Sequence, residues 1–226
     1  MTMRTIVEGV QKFCREEYPP RKAFFEQLAA KRQKPVVLFI TCSDSRVNPN
    51  LITQTEPGDL FVIRNAGNIV PPHGAPVGGE AATIEYSIEV LGIRDIIVCG
   101  HSQCGAMQAL LDPQAVANLP LVRSWCGHAE ATRRIVAQKY PHLSGPELTV
   151  AAIKENVLVQ VNHLSTHPSV AARLASGELR IYGWYYDIGA GRIEQYDQAR
   201  GLFVDVRQEP CATRPLPTLS PEVALA

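Results

Sequence analysis

The chain has 226 residues, 46% of them hydrophobic and 19% charged, and its 22 lysines and arginines balance 22 aspartates and glutamates. Such a chain can bury a core in one large domain. It has no basic excess for neutralising phosphates, which excludes nucleic-acid binding as a main task. The mean hydropathy is −0.04, no apolar run approaches the ~18 residues of a membrane helix, and the N-terminus lacks the apolar block of a signal peptide. We expect a soluble, intracellular protein with no membrane partner.

The beginning of the chain predicts a helical arm. Apolar residues recur at helical spacing over 4–18 and 21–32, and Pro19 and Pro20 separate the two segments. We therefore expect two short helices ahead of the main fold.

The next part of the chain alternates strands with helices. Short β-branched runs that are apolar on both faces predict buried parallel strands at 35–41, 60–64 and 95–100. An amphipathic helix is predicted over 80–91, and the pattern from 105 to about 177 is mostly helical. Strands that alternate with helices predict an α/β domain with a mainly parallel sheet.

The C-terminal part predicts a hairpin and a tail. Alternation over 178–188 indicates an edge strand, and residues 192–196 could pair with it after a turn at Gly191. The sequence from about 208 is proline-rich and weakly patterned, so 208–226 is predicted to be extended or disordered. The resulting division is a single domain over 1–207, made of a helical arm (1–34) and a core (35–207).

Cysteine and histidine residues follow two of the predicted strands. Cys42 comes directly after the first strand, and His101 and Cys104 come directly after the third. Parallel strands bind ligands at their carboxyl ends, and two thiolates with one imidazole suit a zinc ion. Three protein ligands leave one tetrahedral position open, as in a catalytic site. Six cysteines in a chain of this length are too few for a disulfide framework, which favours metal binding.

An acidic and a basic residue stand next to this cluster. Asp44 could complete the site as a fourth ligand, or it could accept a hydrogen bond from a bound water and orient that water. Arg46 could form a bidentate pair with Asp44 and hold the carboxylate off the metal. The alternative for this segment is a helix entry in which Ser43 or Asp44 is the N-cap.

Four stretches of the sequence resemble the β-class carbonic anhydrases. The two signatures are CSDSRV at 42–47 and GHSQCGA at 100–106. The likeness runs from residue 4 to about 196 and includes GDLFVIRNAGN at 58–68 and GGEAATIEY at 78–86. The motifs are long, ordered and correctly separated, so the resemblance is specific.

The resemblance implies an activity, a metal and an assembly. The activity is reversible hydration of CO2 to bicarbonate and a proton, through hydroxide generated at one zinc ion per subunit. Cys42, His101 and Cys104 would hold the zinc, beside a dyad of Asp44 and Arg46. The implied sheet has four parallel strands plus an antiparallel edge strand. The implied assembly is a homodimer or larger homo-oligomer whose N-terminal helices embrace a partner subunit.

Residues of the substrate pocket divide this family into two groups. Plant-like members line the pocket with Gln, Phe and Tyr, which correspond here to Gln33, Phe61 and Tyr86. A bicarbonate-inhibited group has Trp three residues before the first cysteine ligand, where this chain has Phe39. We therefore expect a plant-like pocket without a bicarbonate-triggered switch. The alternative roles are ordinary ones, with Phe61 in a strand core, Tyr86 on a buried helix face and Gln33 on the surface.

The family resemblance also bears on location. Residues 49–72 are most similar to carboxysomal β-class enzymes of cyanobacteria, which carry a longer C-terminal extension that engages a shell-scaffold protein. Only a short proline-containing segment follows residue 208 here. The cytoplasm is therefore the predicted location, and the carboxysome with its scaffold protein is the alternative.

Two other functions compete with CO2 hydration. A hydrolase of carbonyl sulfide or carbon disulfide could use the same fold. A zinc-stabilised scaffold or thiol redox protein would require that the metal be enclosed or that Cys42 and Cys104 cycle as a dithiol. Dithiol pairs normally occur as Cys-x-x-Cys, and here His101 takes the first position.

A few other residues invite functional interpretation. Residues 125–128 (Trp-Cys-Gly-His) contain a Cys-x-His spacing that could bind metal, although a structural role is favoured. His163 and His167 are predicted to be surface histidines. Arg64 could organise a loop near the site or form a structural ion pair. Two further cysteines are predicted as a core residue and an exposed thiol, Cys99 and Cys211 respectively.

Overall fold

A computed structural model describes residues 1–208. Contacts divide the chain into two compact units, Met1–Lys34 and a second unit that starts at Pro35. The predicted tail over 208–226, apart from Gln208, and the thiol of Cys211 lie outside the described residues. Among the helices of residues 1–208, none is long and apolar enough to cross a membrane.

The N-terminal unit consists of short helices separated at a pair of prolines. Helix α1 (Met3–Lys12) begins at a capping box in which the Thr2 hydroxyl accepts from the Thr5 N–H. It continues as a π turn (Phe13–Glu17), and a 3-10 turn (Pro19–Arg21) leads into α2 (Lys22–Ala30). The break falls at the prolines because proline has no N–H to donate to a preceding carbonyl. The two predicted helices are therefore present, with the expected interruption.

Neither α1 nor α2 contains a buried residue. Four apolar side chains of the first helical segment, Ile6, Val7, Val10 and Phe13, are between 42% and 57% exposed. A contiguous apolar face of this kind is typical of an interaction surface rather than of a solvated helix.

The second unit is built on a six-stranded sheet of order β2-β1-β3-β4-β5-β6. The first four strands in this order are parallel, and β5 and β6 are antiparallel to their neighbours. The strands are β1 (Val37–Cys42), β2 (Leu60–Asn65), β3 (Asp95–His101), β4 (Arg180–Asp187), β5 (Arg192–Asp197) and β6 (Leu202–Asp205). The expected α/β class with a mainly parallel sheet is thus confirmed.

Helices connect the strands and pack on the sheet. They are α3 (Pro49–Thr53), α4 (Gly79–Glu89), α5 (Gly105–Leu111), α6 (Pro120–Cys126), α7 (Glu130–Lys139), α8 (Gly145–Leu164) and α9 (Pro168–Ala175). Three 3-10 turns lie at Ala66–Asn68, Pro113–Val116 and Gly127–Ala129.

The structure corrects the sequence interpretation at the antiparallel end of the sheet. The segment predicted as an edge strand is β4, which lies inside the sheet between β3 and β5. Ile181 and Tyr185 of this strand are nearly fully buried. The edge is instead β6, which the sequence analysis did not identify because four residues are too short to show alternation.

The core covers both faces of the sheet. Leu38 and Ile40 of β1 pack with residues of α8 and α9 on one face, whereas Phe39 packs with Cys99 and Tyr182 on the other. Cys99 is therefore a core residue, as predicted, and burial raises the pKa of its thiol to about 12. Burying a large apolar side chain contributes roughly 1.5–3 kcal/mol, so these layers fix the strands that carry the site.

Helix α8 lies unusually close to β3. A Cβ atom on Gly100 would stand 2.8 Å from Ile153 Cγ2 and 2.9 Å from Val157 Cγ2. Glycine is required here by this close approach, since no real Cβ tolerates such distances. Helix α8 is therefore packed directly against the carboxyl end of β3, next to His101.

Candidate metal centre

The structure brings together the two cysteines and the histidine that follow adjacent strands. Cys42 ends β1, His101 ends β3, and Cys104 directly precedes α5. One ligand atom from each residue lies within 4.8 Å of the other two, and all three side chains are buried. The arrangement follows from the parallel pairing of β1 with β3, which puts their carboxyl ends side by side.

The imidazole of His101 is oriented with a free ring nitrogen toward this cluster. Its Nδ1 lies 2.9 Å from the Ser102 carbonyl oxygen, which can only accept, so Nδ1 carries the proton and Nε2 keeps a lone pair. Among the described residues Nε2 has no hydrogen-bond partner although it is buried. A buried, unpartnered nitrogen of this kind is costly in the absence of a ligand.

The side chains of Cys42 and Cys104 shift each other's pKa in opposite directions. The pKa of Cys42 is lowered, chiefly by a hydrogen bond from the Cys104 thiol, with a further contribution from the Gly67 N–H. The pKa of Cys104 is raised, because its thiol donates to Cys42 and is itself buried. Two sulfurs and an imidazole nitrogen together form a donor set for a divalent cation. A cation that binds this set displaces the proton that remains on the thiol.

This donor set fits zinc. Two sulfurs and one nitrogen match the preference of a borderline-soft ion that takes four ligands in a tetrahedron. The three protein donors provide three of the four positions. Within the described residues this is the only group of three or more such side chains whose ligand atoms lie this close together, and Cys126 and His128 are not part of it.

Asp44 is fixed beside the cluster by Arg46. Arg46 donates from Nε to Oδ1 of Asp44 (2.9 Å) and from Nη2 to Oδ2 (2.8 Å), and its backbone N–H also reaches Oδ1 (3.0 Å). These bonds hold the pKa of the Asp44 carboxyl well below its usual range. Oδ2 lies 3.9 Å from His101 Nε2. The Asp44 carboxylate therefore lies next to the Nε2 atom of His101.

The guanidinium of Arg46 also reaches the second motif. Its Nη1 donates to Gln103 Oε1 (3.0 Å) and its Nη2 to the Gln103 carbonyl oxygen (3.3 Å). Gln103 has a φ of 57°, which is uncommon for a residue other than glycine. Arg46 thus links the segment after β1 to the segment after β3.

Arg64 organises the loop that carries Asp44. It donates to the carbonyl oxygens of Cys42 (3.2 Å), Asp44 (2.7 Å) and Val47 (2.9 Å). Of the two roles left open by the sequence, the structure therefore supports loop organisation. Charge-assisted bonds to three carbonyls restrain the loop more strongly than neutral ones would.

The pocket residues suggested by the resemblance belong to both compact units of the chain. Phe61 and Tyr86 lie in the second unit with ring centroids 6.2 Å apart, Phe61 partly buried and Tyr86 43% exposed. Gln33 belongs to the N-terminal unit, where it is exposed. Phe39 is fully buried and packs edge-on against Trp184, with ring centroids 6.0 Å apart.

A polar network beneath the metal cluster was not identified from the sequence. Asn156 of α8 is fully buried, donates to the Gly67 carbonyl oxygen (3.0 Å), and accepts from Thr132 and Gln160. Gly67 in turn donates its N–H to Cys42 Sγ (3.3 Å). Polar residues inside the apolar run of α8 were the available signal, because buried polar groups must find partners.

The two histidines predicted at the surface are instead structural. His163 Nδ1 lies 2.8 Å from the Val70 carbonyl oxygen, and His167 Nε2 lies 3.0 Å from that of Pro71. His167 is 5% exposed, so the surface interpretation of this residue was wrong. Both rings anchor the segment that follows β2.

Comparison with known proteins assigns the family. The family profile described as carbonic anhydrase matches residues 37–193. A carbonic anhydrase of Synechocystis sp. is 51% identical over 89% of this chain and 74% of its own length. A carbonic anhydrase of Pseudomonas aeruginosa is 49% identical over 92% of this chain and 94% of its own length.

Solved structures agree with this assignment. The β-carbonic anhydrase CcaA superposes with a TM-score of 0.88 at 50% identity, covering 90% of this chain and 98% of that one. A tetrameric β-carbonic anhydrase of Sordaria macrospora gives a TM-score of 0.76 at 28% identity, covering 89% and 98%. The chain belongs to the β class of the carbonic anhydrase family. The reaction of that family is the hydration of CO2, and its metal is zinc.

Proposed function

We propose that this chain hydrates CO2 reversibly at one zinc ion per subunit, held by Cys42, His101 and Cys104. The proposal is supported chiefly by the buried group of Cys42, His101 and Cys104, whose ligand atoms lie within 4.8 Å of one another, together with the buried His101 Nε2, which has no hydrogen-bond partner over residues 1–208. Zinc, when bound, is a Lewis acid that makes water acidic enough to serve as a nucleophile near neutral pH. Close relatives that carry the name carbonic anhydrase support CO2 as the substrate.

Asp44 orients the attacking water in this proposal. Arg46 donates to both carboxylate oxygens. Oδ1 also accepts from the Arg46 backbone N–H, so Oδ2 is the oxygen that keeps a lone pair for a further donor. Because the guanidinium holds the carboxylate in place, Asp44 is better suited to accept from water than to move onto the metal. Arg46 therefore acts by fixing the direction of the acceptor.

Phe61 and Tyr86 form the apolar wall of the proposed substrate pocket, with Gln33 as an amide donor to a substrate oxygen. The rings of Phe61, at the start of β2, and Tyr86, on α4, have centroids 6.2 Å apart. A small apolar gas is held by such surfaces without directional bonds. With Phe39 buried against Trp184, we propose an enzyme that lacks a bicarbonate-triggered switch.

We further propose a homo-oligomer in the cytoplasm, with residues 1–207 as one catalytic domain. The uncovered apolar face of α1 supports an arm over 1–34 that embraces a second copy of the chain. The name of the fungal relative describes a tetramer. The described cysteines are all free, which suits a reducing compartment. A carboxysomal location remains the alternative proposal.

The proposed function is tested by zinc analysis and stopped-flow CO2 hydration of the wild type and Asp44→Ala. The matched control is Asp205→Ala, because Asp205 is bound by Arg207 through a similar set of contacts at the far edge of the sheet. We expect one zinc per chain in all three proteins and a rate loss of about 10²–10⁴-fold only in Asp44→Ala. Carbonyl sulfide and carbon disulfide are assayed in parallel. A wild type without zinc, or one that turns over only the sulfur compounds, would refute the proposal.

A further inference from the structure

The loop after β2 is held by side chains from distant helices. Trp125 of α6 donates its indole N–H to the Ala66 carbonyl oxygen (2.8 Å), and Asn156 of α8 donates to the Gly67 carbonyl oxygen (3.0 Å). Gln160 accepts from the Val70 N–H (2.9 Å). The backbone next to the metal cluster is therefore positioned from outside the motifs that supply the ligands.

One peptide unit of this loop lies between Trp125 and a metal-binding sulfur. Its oxygen, on Ala66, accepts from the indole, and its N–H, on Gly67, donates to Cys42 Sγ at 3.3 Å. A hydrogen bond accepted by a peptide oxygen strengthens the donor character of the N–H in the same unit. The indole thus acts on the sulfur through one intervening amide.

The geometry of this amide allows little adjustment. Gly67 has a φ of 81°, and a Cβ atom at this position would stand 2.9 Å from Ala106 Cβ. Trp125 itself packs against the cluster that contains Cys42 and Cys104, and its ring contacts His128 with centroids 5.6 Å apart. These contacts hold the indole ring of Trp125 in place, and the indole N–H in turn holds the loop.

We propose that Trp125 is a positioning residue for the metal centre: its indole N–H fixes and polarises the Ala66–Gly67 amide that donates to the Cys42 thiolate. The proposal rests on the zinc site proposed above. It also gives the Trp-Cys-Gly-His segment a role through its tryptophan rather than through Cys126 and His128. Groups that orient a metal ligand in this way typically change metal affinity or activity by 10–100-fold when they are lost.

The test removes the indole N–H and leaves the fold intact. The two variants are Trp125→Phe and a protein with 3-benzothienyl-alanine at position 125, which keeps the shape of tryptophan without the N–H. The chain has two tryptophans, and the matched control is Trp184→Phe, since Trp184 also donates its indole N–H, to Gln195 Oε1 at 3.0 Å. Circular dichroism and gel filtration check that all variants keep the fold and assembly.

Two measurements report on the sulfur rather than on turnover. The first is the rate of zinc transfer to a chelator, which we expect to rise about tenfold in both Trp125 variants and to stay unchanged in Trp184→Phe. The second is the sulfur-to-metal charge-transfer absorption of the cobalt-substituted protein. Losing a hydrogen bond raises the energy of the sulfur lone pairs, so this band should move to longer wavelength in the same two variants.

The outcomes separate the two proposals. If the benzothienyl protein releases zinc and absorbs as the wild type does, the N–H plays no part and the inference is overturned, even if Trp125→Phe is altered through its lost packing. In that case a wild type with stoichiometric zinc leaves the proposed function standing. A wild type that binds neither zinc nor cobalt would overturn both.

Discussion

Gly67 offers a sharp test of how closely the loop fits against the metal cluster. Replacing it with alanine forces a side chain into a φ of 81° and places a Cβ atom 2.9 Å from Ala106 Cβ. Left-handed backbone costs an L-residue roughly 1–2 kcal/mol, and overpacking a filled site costs typically 1–3 kcal/mol. We therefore expect Gly67→Ala to lower the free energy of unfolding by about 2–5 kcal/mol.

The chain contains a control that separates the two contributions. Gly92 also has a positive φ, 66°, but a Cβ atom there would meet nothing within 4 Å. Gly92→Ala should therefore show the backbone cost alone, and the entropy that alanine removes from the unfolded chain applies to both variants. The difference between them, about 1–3 kcal/mol, measures the crowding against Ala106.

The assay is urea unfolding of the zinc-loaded proteins at one fixed protein concentration, because assembly and metal both contribute to apparent stability. A second substitution, Ala106→Gly, removes the obstructing atom, so the double variant should recover part of the loss beyond what the two single variants predict additively. Zinc content is measured alongside. If Gly67→Ala is no less stable than Gly92→Ala, or Ala106→Gly restores nothing, the close packing inferred for this loop is refuted.

Three further predictions concern residues other than the metal ligands. Burial lowers the pKa of His167, so the unfolded chain binds a proton that the folded chain does not, and stability should fall as the pH drops below about 6.5. His167→Gln should flatten this dependence in urea unfolding between pH 7.5 and 5.5, and an unchanged slope would contradict it. Asn156→Leu leaves three buried partners unsatisfied, so we expect a loss of about 2–5 kcal/mol in the same assay, and a loss below about 1 kcal/mol would show that the network is dispensable. Cys126→Ala should contain stoichiometric zinc by metal analysis. A lower zinc content in this variant would indicate that Cys126 and His128 bind metal after all.

The metal cluster was predictable because each of its parts is local in sequence. Cys42 follows a run of β-branched residues, and the His101 motif follows another, so strand periodicity and the rule for parallel sheets together put them side by side. No long-range contact had to be guessed beyond the adjacency of β1 and β3. The mainly parallel sheet followed from the same alternation of strands and helices.

The parts that could not be predicted depend on contacts between distant segments. Residues 178–188 show the alternation of an edge strand, yet pairing on both sides buries them in the sheet as β4. Trp125 and Asn156 bind a loop that lies far earlier in the chain. The polar residues within the apolar run of α8 indicate that buried hydrogen bonds exist, but they do not indicate which segment is bound, because the partner of a buried polar group is chosen by packing rather than by spacing.

The close approach of α8 to β3 at Gly100 has a consequence for how the enzyme can evolve. The same helix carries Asn156, whose amide donates a hydrogen bond to the loop next to Cys42. The helix therefore sets the distance between the sheet and this loop. Any side chain at position 100 would push α8 away from β3, and the loop bound by Asn156 would move with the helix. Selection on catalysis therefore extends to Gly100, although this residue contacts no reactant. The substitutions tolerated between α8 and β3 are those that preserve the distance between the helix and the strand.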